Sequence, residues 1–293
     1  MIARKKKETV PFPDIVESIR PSVVGMGLLA NPRDPLSVVI LGTGFLIDDD
    51  GGILTNHHVA EAFIGQGDRR VGVRNSVARA VLFVEASGRE LPQGYGKAVG
   101  GFGTVPCPIV EITMASEAPD VAPHYESEPD LAICRIRVDG LDRMGVPRPK
   151  HLPLGDSAKV RAGDEVGIMG FPFGLRLLGE EQELRQMTPI TQKGSIAAVL
   201  PFSNVQNPHA FQLDMNINGG SSGSPLFLAE TGEIVGVVFA ARVKPHEVSL
   251  PRNKGPRKVA SIPLPTGFGY AVPINRLREQ PPAQHRLPPV IHE

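Results

Sequence analysis

The chain has 293 residues, and 31 Lys and Arg residues balance 31 Asp and Glu residues. This balance argues against a dedicated nucleic-acid-binding protein, which carries a basic excess, and the 41% hydrophobic content excludes a wholly disordered chain. With 32 glycines and 29 prolines, we expect many short strands and turns, in one large domain or two modest ones.

The chain begins with a basic segment, Arg-Lys-Lys-Lys at residues 4–7. Glu8, Pro11 and Asp14 interrupt any apolar run behind it, so this segment does not fit a secretory signal peptide. No stretch reaches the run of about 18 apolar residues that a membrane helix needs. We therefore expect residues 1–13 to form a solvated tail on a cytoplasmic protein with no membrane partner.

The first half of the chain predicts a short helix followed by strands. The helix covers residues 14–19, with Asp14 as its N-cap and Pro21 after its end. Residues 48–52 are typical of a tight turn between strands, and the glycine-rich segment 88–108 predicts a long surface insertion. The predicted strands lie at 38–40, 43–47, 53–55, 71–73, 80–84 and 131–136.

A proline-rich stretch at 146–153 separates these strands from a second set of similar size. Residues 242–265 predict a second long insertion, basic and solvated, while 275–279 predict a closing helical turn and 280–293 a tail. The strands of the second set lie at 165–169, 194–199, 211–213, 225–228, 234–239 and 269–272. Together the two sets indicate an all-β protein built from barrels or sandwiches.

Cys107 and Cys134 are the two cysteines of the chain. They are too few for the disulfide framework of a small secreted domain, and no Cys/His spacing typical of a metal site surrounds them. We expect two free thiols, with a single bridge as the alternative, and no metal.

Three local patterns contain residues suited to chemistry. They are the sequence TNHHV at 55–59, Asp130 directly before an apolar strand, and the small-residue loop GSSGSP at 220–225. Each pattern by itself also fits an ordinary structural role: an exposed histidine, a turn aspartate and a Gly/Ser turn. Together they supply a base, an acid, a nucleophile and backbone N–H groups for an oxyanion, which are the requirements of acyl transfer.

Four segments in this order resemble trypsin-like serine proteases, and within them the HtrA/DegP-type bacterial branch. They are 42–47 with 54–59, 130–133, 218–226 with 232–237, and 267–273. The resemblance covers roughly residues 14–279 and implies a chymotrypsin-like double six-stranded β-barrel with short N- and C-terminal helical segments. It assigns the N-terminal barrel to 14–148 and the C-terminal barrel to 149–279, and leaves no residues for the PDZ domain of the HtrA pattern.

The resemblance also assigns roles to residues of this sequence. It implies that His58 is the base, Asp130 the acid and Ser222 the nucleophile, and that the N–H groups of Gly220 and Ser222 form the oxyanion hole. The Thr-x-x-His pattern of the resemblance places the base at His58 and not at His57, and the two cannot both face the cleft because adjacent side chains of an extended strand end face opposite sides.

Other residues near these positions remain alternatives. Ser221 and Ser224 are alternative nucleophiles; Ser221 stands where the family usually has Asn or Asp, and Ser224 where it often has Gly. Asp120 and Asp156 are alternative acids, although neither precedes a Leu-Ala-Ile strand start.

The substrate pocket can be assigned in the same way. Asn216, six residues before Ser222, would lie at the base of the S1 pocket, and its uncharged amide disfavours Arg or Lys at P1. Phe268 would form the pocket wall, with a core position as the alternative. The strand beside the substrate would contain Phe239, Ala240 and Ala241. This arrangement predicts a shallow pocket for a small or medium apolar P1 residue such as Val, Ala or Leu.

The sequence thus predicts a serine endopeptidase that acts on a protein or peptide substrate without a cofactor. Neither an HExxH zinc motif nor a nucleotide-binding P-loop is present. A catalytically silent trypsin-fold module that only binds peptides or serves as a scaffold is the alternative, and esterase activity alone is a third possibility. The oligomeric state is not predicted.

Overall fold

The computed structural model describes residues 10–31, 33, 37–64, 77–85, 102–114, 129–139, 141, 146–172, 188–203, 205–250, 258–279 and 283–286. Antiparallel β-strands dominate these ranges and form two closed six-stranded barrels. This confirms the predicted chymotrypsin-like double barrel. Over the same ranges, no helix combines the length and apolarity needed to cross a lipid bilayer.

The first barrel is an antiparallel sheet closed on itself. Its strands are β1 (Val23–Leu29), β2 (Val38–Leu46), β3 (Gly52–Thr55), β4 (Ala78–Glu85), β5 (Phe102–Met114) and β6 (Ala132–Ile136). They follow the order β5-β4-β1-β2-β3-β6, and pairing of β6 with the second half of β5 closes the barrel. Side chains in β6 alternate between buried and partly exposed, as expected for a strand with one face toward a core.

The second barrel also contains six strands. They are β7 (Glu165–Gly170), β8 (Ile190–Leu200), β9 (Ala210–Leu213), β10 (Pro225–Leu228), β11 (Ile234–Leu250) and β12 (Lys258–Pro273). The closed order is β10-β11-β12-β9-β8-β7. The next strand along the described chain, β13 (Ala283–Arg286), does not belong to this barrel and pairs with β5 of the first one.

Among the described residues, the short helices α1 (Phe12–Ile19), α2 (His57–Glu61) and α3 (Arg276–Glu279) accompany the barrels. One face of α1 is buried through Ile15, Val16 and Ile19, whose spacing matches the helical repeat. The Phe12 ring stacks on the ring of Phe227 in β10, with centroids 6.0 Å apart. Helix α1 therefore packs on the second barrel although the chain continues from it into the first.

A shared apolar cluster joins the two barrels. Phe45 and Val81 enter it from the first barrel, and Phe171 and Phe227 enter it from the second. The Phe171 ring stacks on Phe83 of β4, with centroids 4.8 Å apart and an interplanar angle of 26°. Each barrel also has its own apolar interior, so this third cluster fixes how the barrels meet.

The N-terminal helix begins earlier than the sequence predicts. It starts at Phe12, with Pro11 as the N-cap residue, and the predicted cap Asp14 lies in the first turn. Proline has a fixed φ that suits the entry to a helix, so the chain enters the helical conformation before it reaches the aspartate. The predicted tight turn is present between β2 and β3, where Gly51 has φ +85°.

Both predicted insertions contain paired strands. In the first, residues 102–108 belong to β5 and pair with β4, while 88–101 lie outside the described residues, as does the predicted strand at 71–73. In the second, β11 and β12 stay paired from Val243 opposite Pro265 to Leu250 opposite Lys258. Proline within a segment argues against a strand, so the prolines of this ribbon led to the prediction of a loop. They are tolerated here because a two-stranded ribbon has free edges, where a backbone N–H is not needed.

The C-terminal segment also differs from the expected tail. Residues 283–286 lie antiparallel to residues 111–114 of β5. They occupy the edge where β4 no longer accompanies β5, because β4 pairs with residues 102–108. The predicted helical turn before this segment is present as α3.

Cys107 in β5 and Cys134 in β6 are free thiols, as the sequence predicts. Both are buried in the interior of the first barrel. Burial disfavours the thiolate and raises the pKa of each thiol to about 12. These cysteines are therefore structural residues of the barrel core.

We predict that Phe171→Ala will lower the free energy of unfolding by about 3–5 kcal/mol, because it removes a fully buried ring from the cluster between the barrels. Chemical denaturation measures this loss. Phe202→Ala is the matched control, since Phe202 is 70% exposed, and it should change stability by less than about 0.5 kcal/mol. Equal effects of the two substitutions would contradict the assigned role of the cluster.

Candidate active site

His58 and Asp130 meet at the ends of two paired strands. His58 lies in α2, directly after β3, and Asp130 lies just before β6, which pairs with β3. The distance from His58 Nδ1 to Asp130 Oδ2 is 2.6 Å, and the His58 backbone N–H donates to Asp130 Oδ1 at 3.0 Å. Two contacts therefore fix the imidazole relative to the carboxylate.

The two side chains differ in exposure. The Asp130 side chain is 7% exposed, whereas that of His58 is 42% exposed. A buried carboxylate that accepts from Nδ1–H keeps the neutral imidazole in the tautomer with a lone pair on Nε2. A lone pair on Nε2 is what a general base requires.

Residues around this pair hold Asp130 in place. The Asn56 side chain is buried, and its Nδ2 donates to the backbone carbonyl of Asp130 at 2.8 Å. His57 is 7% exposed, and its Nδ1 has no partner among the described residues. His58, which the Thr-x-x-His pattern selects, is the exposed histidine of the two. The expected extended strand end is wrong, because both histidines lie in a helix.

Ser222 lies in a tight loop between β9 and β10. Gly220 and Gly223 flank it with φ of +89° and +85°, a conformation that favours glycine. Inside the loop, the Ser221 N–H donates to Asn218 O, and the Ser224 N–H donates to Ser221 O, both at 3.0 Å. These bonds fold the loop into two successive turns around the serine.

This folding leaves two backbone donors unused. Within the described part of the chain, the N–H groups of Gly220 and Ser222 donate to no protein acceptor. The Ser222 hydroxyl donates to the Phe239 carbonyl at 3.4 Å, a long and weak hydrogen bond, and not to His58. The loop thus combines a weakly held hydroxyl with two N–H groups free to bind an anion.

Thr43, to which sequence analysis assigned no role, joins this loop to the first barrel. Its N–H donates to Ser222 O at 2.7 Å, and its Oγ1 donates to Gly220 O at 2.9 Å. Gly42 is nearby: a Cβ placed on it would contact the Val59 side chain and lie 3.2 Å from Ser222 O. A polar residue between two glycines of an otherwise apolar strand is the signal that could have identified Thr43.

The predicted pocket residues Asn216 and Phe268 lie on adjoining segments. Asn216 is exposed, and a Cβ placed on Gly267 would lie 4.0 Å from Asn216 Oδ1. Phe268 is 38% exposed, which excludes the alternative that it is a core residue. An uncharged amide therefore lies next to the backbone segment that contains the partly exposed Phe268.

The three residues predicted beside the substrate lie in β11. Ala240 and Ala241 pair with Tyr270 and Gly269 of β12, and a register shift at Phe239 interrupts the ladder. The Phe239 side chain is buried with the cluster between the barrels, so its backbone carbonyl is the group that faces Ser222.

The alternative site residues have other environments. Ser221 and Ser224 are buried, and Ser224 Oγ has no partner within the described ranges. Asp156 accepts from the Asn275 side chain at 2.8 Å and from the Ala158 N–H at 3.1 Å. These bonds, the first above all, lower the pKa of Asp156, which caps a short 3-10 turn. Asp120 lies outside the described residues.

Among the residues that the structure describes, no group of three or more His, Cys, Asp or Glu side chains is arranged to hold a metal ion.

Comparison with known sequences gives one family and several relatives. A model of the trypsin-like peptidase domain matches residues 42–237. The chain is 30% identical over 270 residues to serine protease HTRA2, mitochondrial, of Bos taurus, covering 91% of this chain and 41% of that protein. It is 28% identical over 200 residues to a probable periplasmic serine endoprotease DegP-like of Halomonas elongata, covering 67% and 28%. The chain thus spans less than half the length of these relatives.

Solved structures share the fold. Deg5 aligns with a TM-score of 0.51 at 19% identity, over 91% of this chain and 90% of that one. The HtrA-type protease AlgW with decapeptide aligns with a TM-score of 0.50 at 19% identity, over 92% and 66%. At this identity the likeness concerns the fold.

We predict that Gly223→Ala will destabilise the protein by about 2–5 kcal/mol, because strain at positive φ adds to overpacking. The new Cβ would lie 1.8 Å from the Thr43 carbonyl oxygen. Gly163→Ala is the matched control, since Gly163 has φ +93° but no atom within 4 Å of such a Cβ, and we expect a loss of about 1–2 kcal/mol. Denaturant unfolding measures both losses of stability. If Gly223→Ala and Gly163→Ala lose the same free energy of unfolding, close packing of this loop on Thr43 does not contribute to stability.

Proposed function

Because the chain belongs to the trypsin-like peptidase family, we propose that it is a serine endopeptidase with Ser222 as nucleophile, His58 as base and Asp130 as acid. The observation that carries this proposal is the contact of 2.6 Å between the exposed imidazole and the buried carboxylate. The neighbouring loop supplies a serine hydroxyl and two unused backbone donors. Such a set of groups suits acyl transfer.

In the first half of the proposed reaction, Ser222 Oγ attacks the scissile carbonyl carbon while its proton moves to His58 Nε2. The negative charge on the former carbonyl oxygen is stabilised by the Gly220 and Ser222 N–H groups. Asp130 accepts from the imidazolium Nδ1–H and stabilises the positive charge. His58 then gives its proton to the leaving amine, the C–N bond breaks, and an acyl-enzyme remains.

In the second half, His58 takes a proton from a water molecule, which attacks the acyl carbon. The same N–H groups stabilise the second tetrahedral intermediate. When this collapses, the C–O bond to Ser222 breaks, His58 returns the proton to Ser222 Oγ, and the carboxylic acid product leaves.

The weak bond between the Ser222 hydroxyl and Phe239 O is compatible with this mechanism. At 3.4 Å the bond contributes little, so rotation of the hydroxyl toward His58 has a low energetic cost. Catalytic hydrogen bonds are often long in a free enzyme and shorten when substrate binds.

We predict that a fluorophosphonate probe will label the folded protein at Ser222, and that Ser222→Ala will abolish the labelling. Asp130→Asn should lower kcat by about 10⁴-fold, because it favours the wrong imidazole tautomer. Ser224→Ala is the control at a buried serine of the same loop and should retain labelling. Mass spectrometry locates the label, and casein cleavage measures endopeptidase activity.

Other results of the labelling and cleavage assays would each support a different function or a different nucleophile. Absence of labelling in the folded wild-type protein would support the catalytically silent peptide-binding module. Labelling that persists in Ser222→Ala would assign the nucleophile elsewhere. Hydrolysis of an ester substrate without any cleavage of casein would support an esterase.

The proposed specificity is for a small or medium apolar P1 residue, such as Val, Ala or Leu. This rests on the uncharged amide of Asn216 and on the partly exposed ring of Phe268. An amide cannot form an ion pair with an Arg or Lys side chain, and a phenyl ring at the pocket wall limits its depth. The backbone of residues 239–241 would bind the substrate as an extended strand.

We predict that cleavage of a peptide library by the wild-type protein will favour apolar P1 residues, and that Asn216→Asp will add cleavage after Arg and Lys. The reason is that the new carboxylate supplies the missing counter-charge. Gln212→Glu, which makes the same amide-to-carboxylate change in β9, is the control and should leave the P1 profile unaltered. Dominant Arg or Lys cleavage by the wild-type protein would refute the pocket assignment.

A further inference from the structure

We propose that Thr43 is a positioning residue: from the first barrel, its side chain holds the loop of the second barrel with its Gly220 and Ser222 N–H groups directed at the oxyanion. This inference rests on the proposed function for the identity of the oxyanion donors. Thr43 itself touches no reacting atom in that mechanism. It acts through the two loop carbonyls that it binds.

Every polar group of Thr43 is engaged, although the residue is completely buried. Its backbone N–H donates to Ser222 O at 2.7 Å, and its backbone carbonyl accepts from Thr55 Oγ1 at 2.6 Å. Its Oγ1 accepts from the Phe171 N–H at 3.0 Å and donates to Gly220 O at 2.9 Å. One residue of β2 thus contacts the serine loop twice and the end of β7 once.

The direction of the hydroxyl bond is determined by its neighbours. The Phe171 backbone N–H can only donate, so it occupies a lone pair of Thr43 Oγ1. The single hydroxyl hydrogen is then free for Gly220 O, which can only accept. The hydroxyl therefore cannot reverse its polarity without breaking both bonds.

The hydrogen bond from Thr43 Oγ1 restrains the backbone of Gly220. Gly220 has φ +89°, and glycine can move between distant backbone conformations at little cost. Its N–H has no acceptor in the described structure, so the carbonyl bond to Thr43 limits its rotation. Ser222 follows the same arrangement, with its carbonyl bound to the Thr43 N–H and its own N–H unused.

Close packing around Thr43 makes the hydroxyl difficult to replace. A Cβ placed on Gly170 would lie 2.7 Å from Thr43 Oγ1, and one placed on Gly223 would lie 1.8 Å from the Thr43 carbonyl oxygen. Valine matches the shape of threonine but has a methyl group in place of the hydroxyl. Thr43→Val would therefore leave the buried Phe171 N–H and the partly buried Gly220 carbonyl without this partner.

We predict that Thr43→Val will lower kcat on a cleaved peptide by about 10–100-fold, less than the loss of a whole oxyanion donor. Affinity for a peptide boronic acid, whose tetrahedral adduct carries an oxygen at the oxyanion position, should fall by a similar factor. KM should change by less than about 3-fold, and so should the affinity for a peptide measured in the Ser222→Ala background. Binding of the uncleaved substrate does not require the oxyanion donors. Thr43→Ser keeps the hydroxyl, so its kcat and its boronic acid affinity should be close to those of the wild-type protein.

Thr104→Val is the matched control, since Thr104 is a buried threonine in β5 of the same barrel. It should leave kcat and boronic acid affinity near the wild-type values. If Thr43→Val does not fold, Thr43→Ala replaces it in every assay, because its smaller side chain introduces no overpacking. Thermal unfolding of each variant establishes that the measured protein is folded.

Three results would overturn the proposal. They are a kcat of folded Thr43→Val within 3-fold of wild type, equal losses of boronic acid and peptide affinity, or failure of Thr43→Ser to restore activity. Amide exchange of residues 219–224 tests the restraint without hydrolysis, and the Val variant should exchange faster there. An inactive wild-type protein would refute the proposed function, while this exchange comparison would still decide whether Thr43 restrains the loop.

Discussion

The structure depends on the packing of one barrel against the other. His58 and Asp130 come from the first barrel and Ser222 from the second, so the proposed site requires that the two barrels keep a fixed position relative to each other. An apolar cluster that includes Phe45, Phe171 and ring-stacked Phe83 supplies this relation. Interiors packed at crystal-like density resist sliding, and small shifts there would move the site residues apart.

The apolar cluster fixes the position of one barrel against the other, and polar contacts then fix the serine loop. In the serine loop, Gly220 and Ser222 direct their carbonyls into the junction between the barrels, where Thr43 binds both. Their N–H groups donate to no acceptor in the described part of the chain. In each of these two residues the carbonyl anchors the loop, and in the proposed mechanism the N–H binds the developing negative charge.

Alternation and turn residues predicted an all-β protein, and the family resemblance of short motifs implied the double barrel, which the structure confirms. The resemblance also assigned His58 and Asp130, whose side chains are in contact. The sequence patterns placed His57 and His58 at an extended strand end, whereas both lie in α2. They missed the ribbon extending from β11 and β12, whose prolines conceal its pairing, and β13, whose partner is a distant strand. Thr43 was missed because its importance arises from atoms of the other barrel, which no local pattern records.

Helix α1 has a consequence for how the protein folds. It lies at the start of the described chain, yet Phe12 packs on Phe227 near the end of the fold. Contacts between such distant segments form late, since the intervening chain must first be ordered. During synthesis the helix emerges well before the surface that covers it. Its apolar face, formed by Ile15, Val16 and Ile19, therefore remains uncovered in a nascent chain until Phe227 and its neighbours have been synthesised.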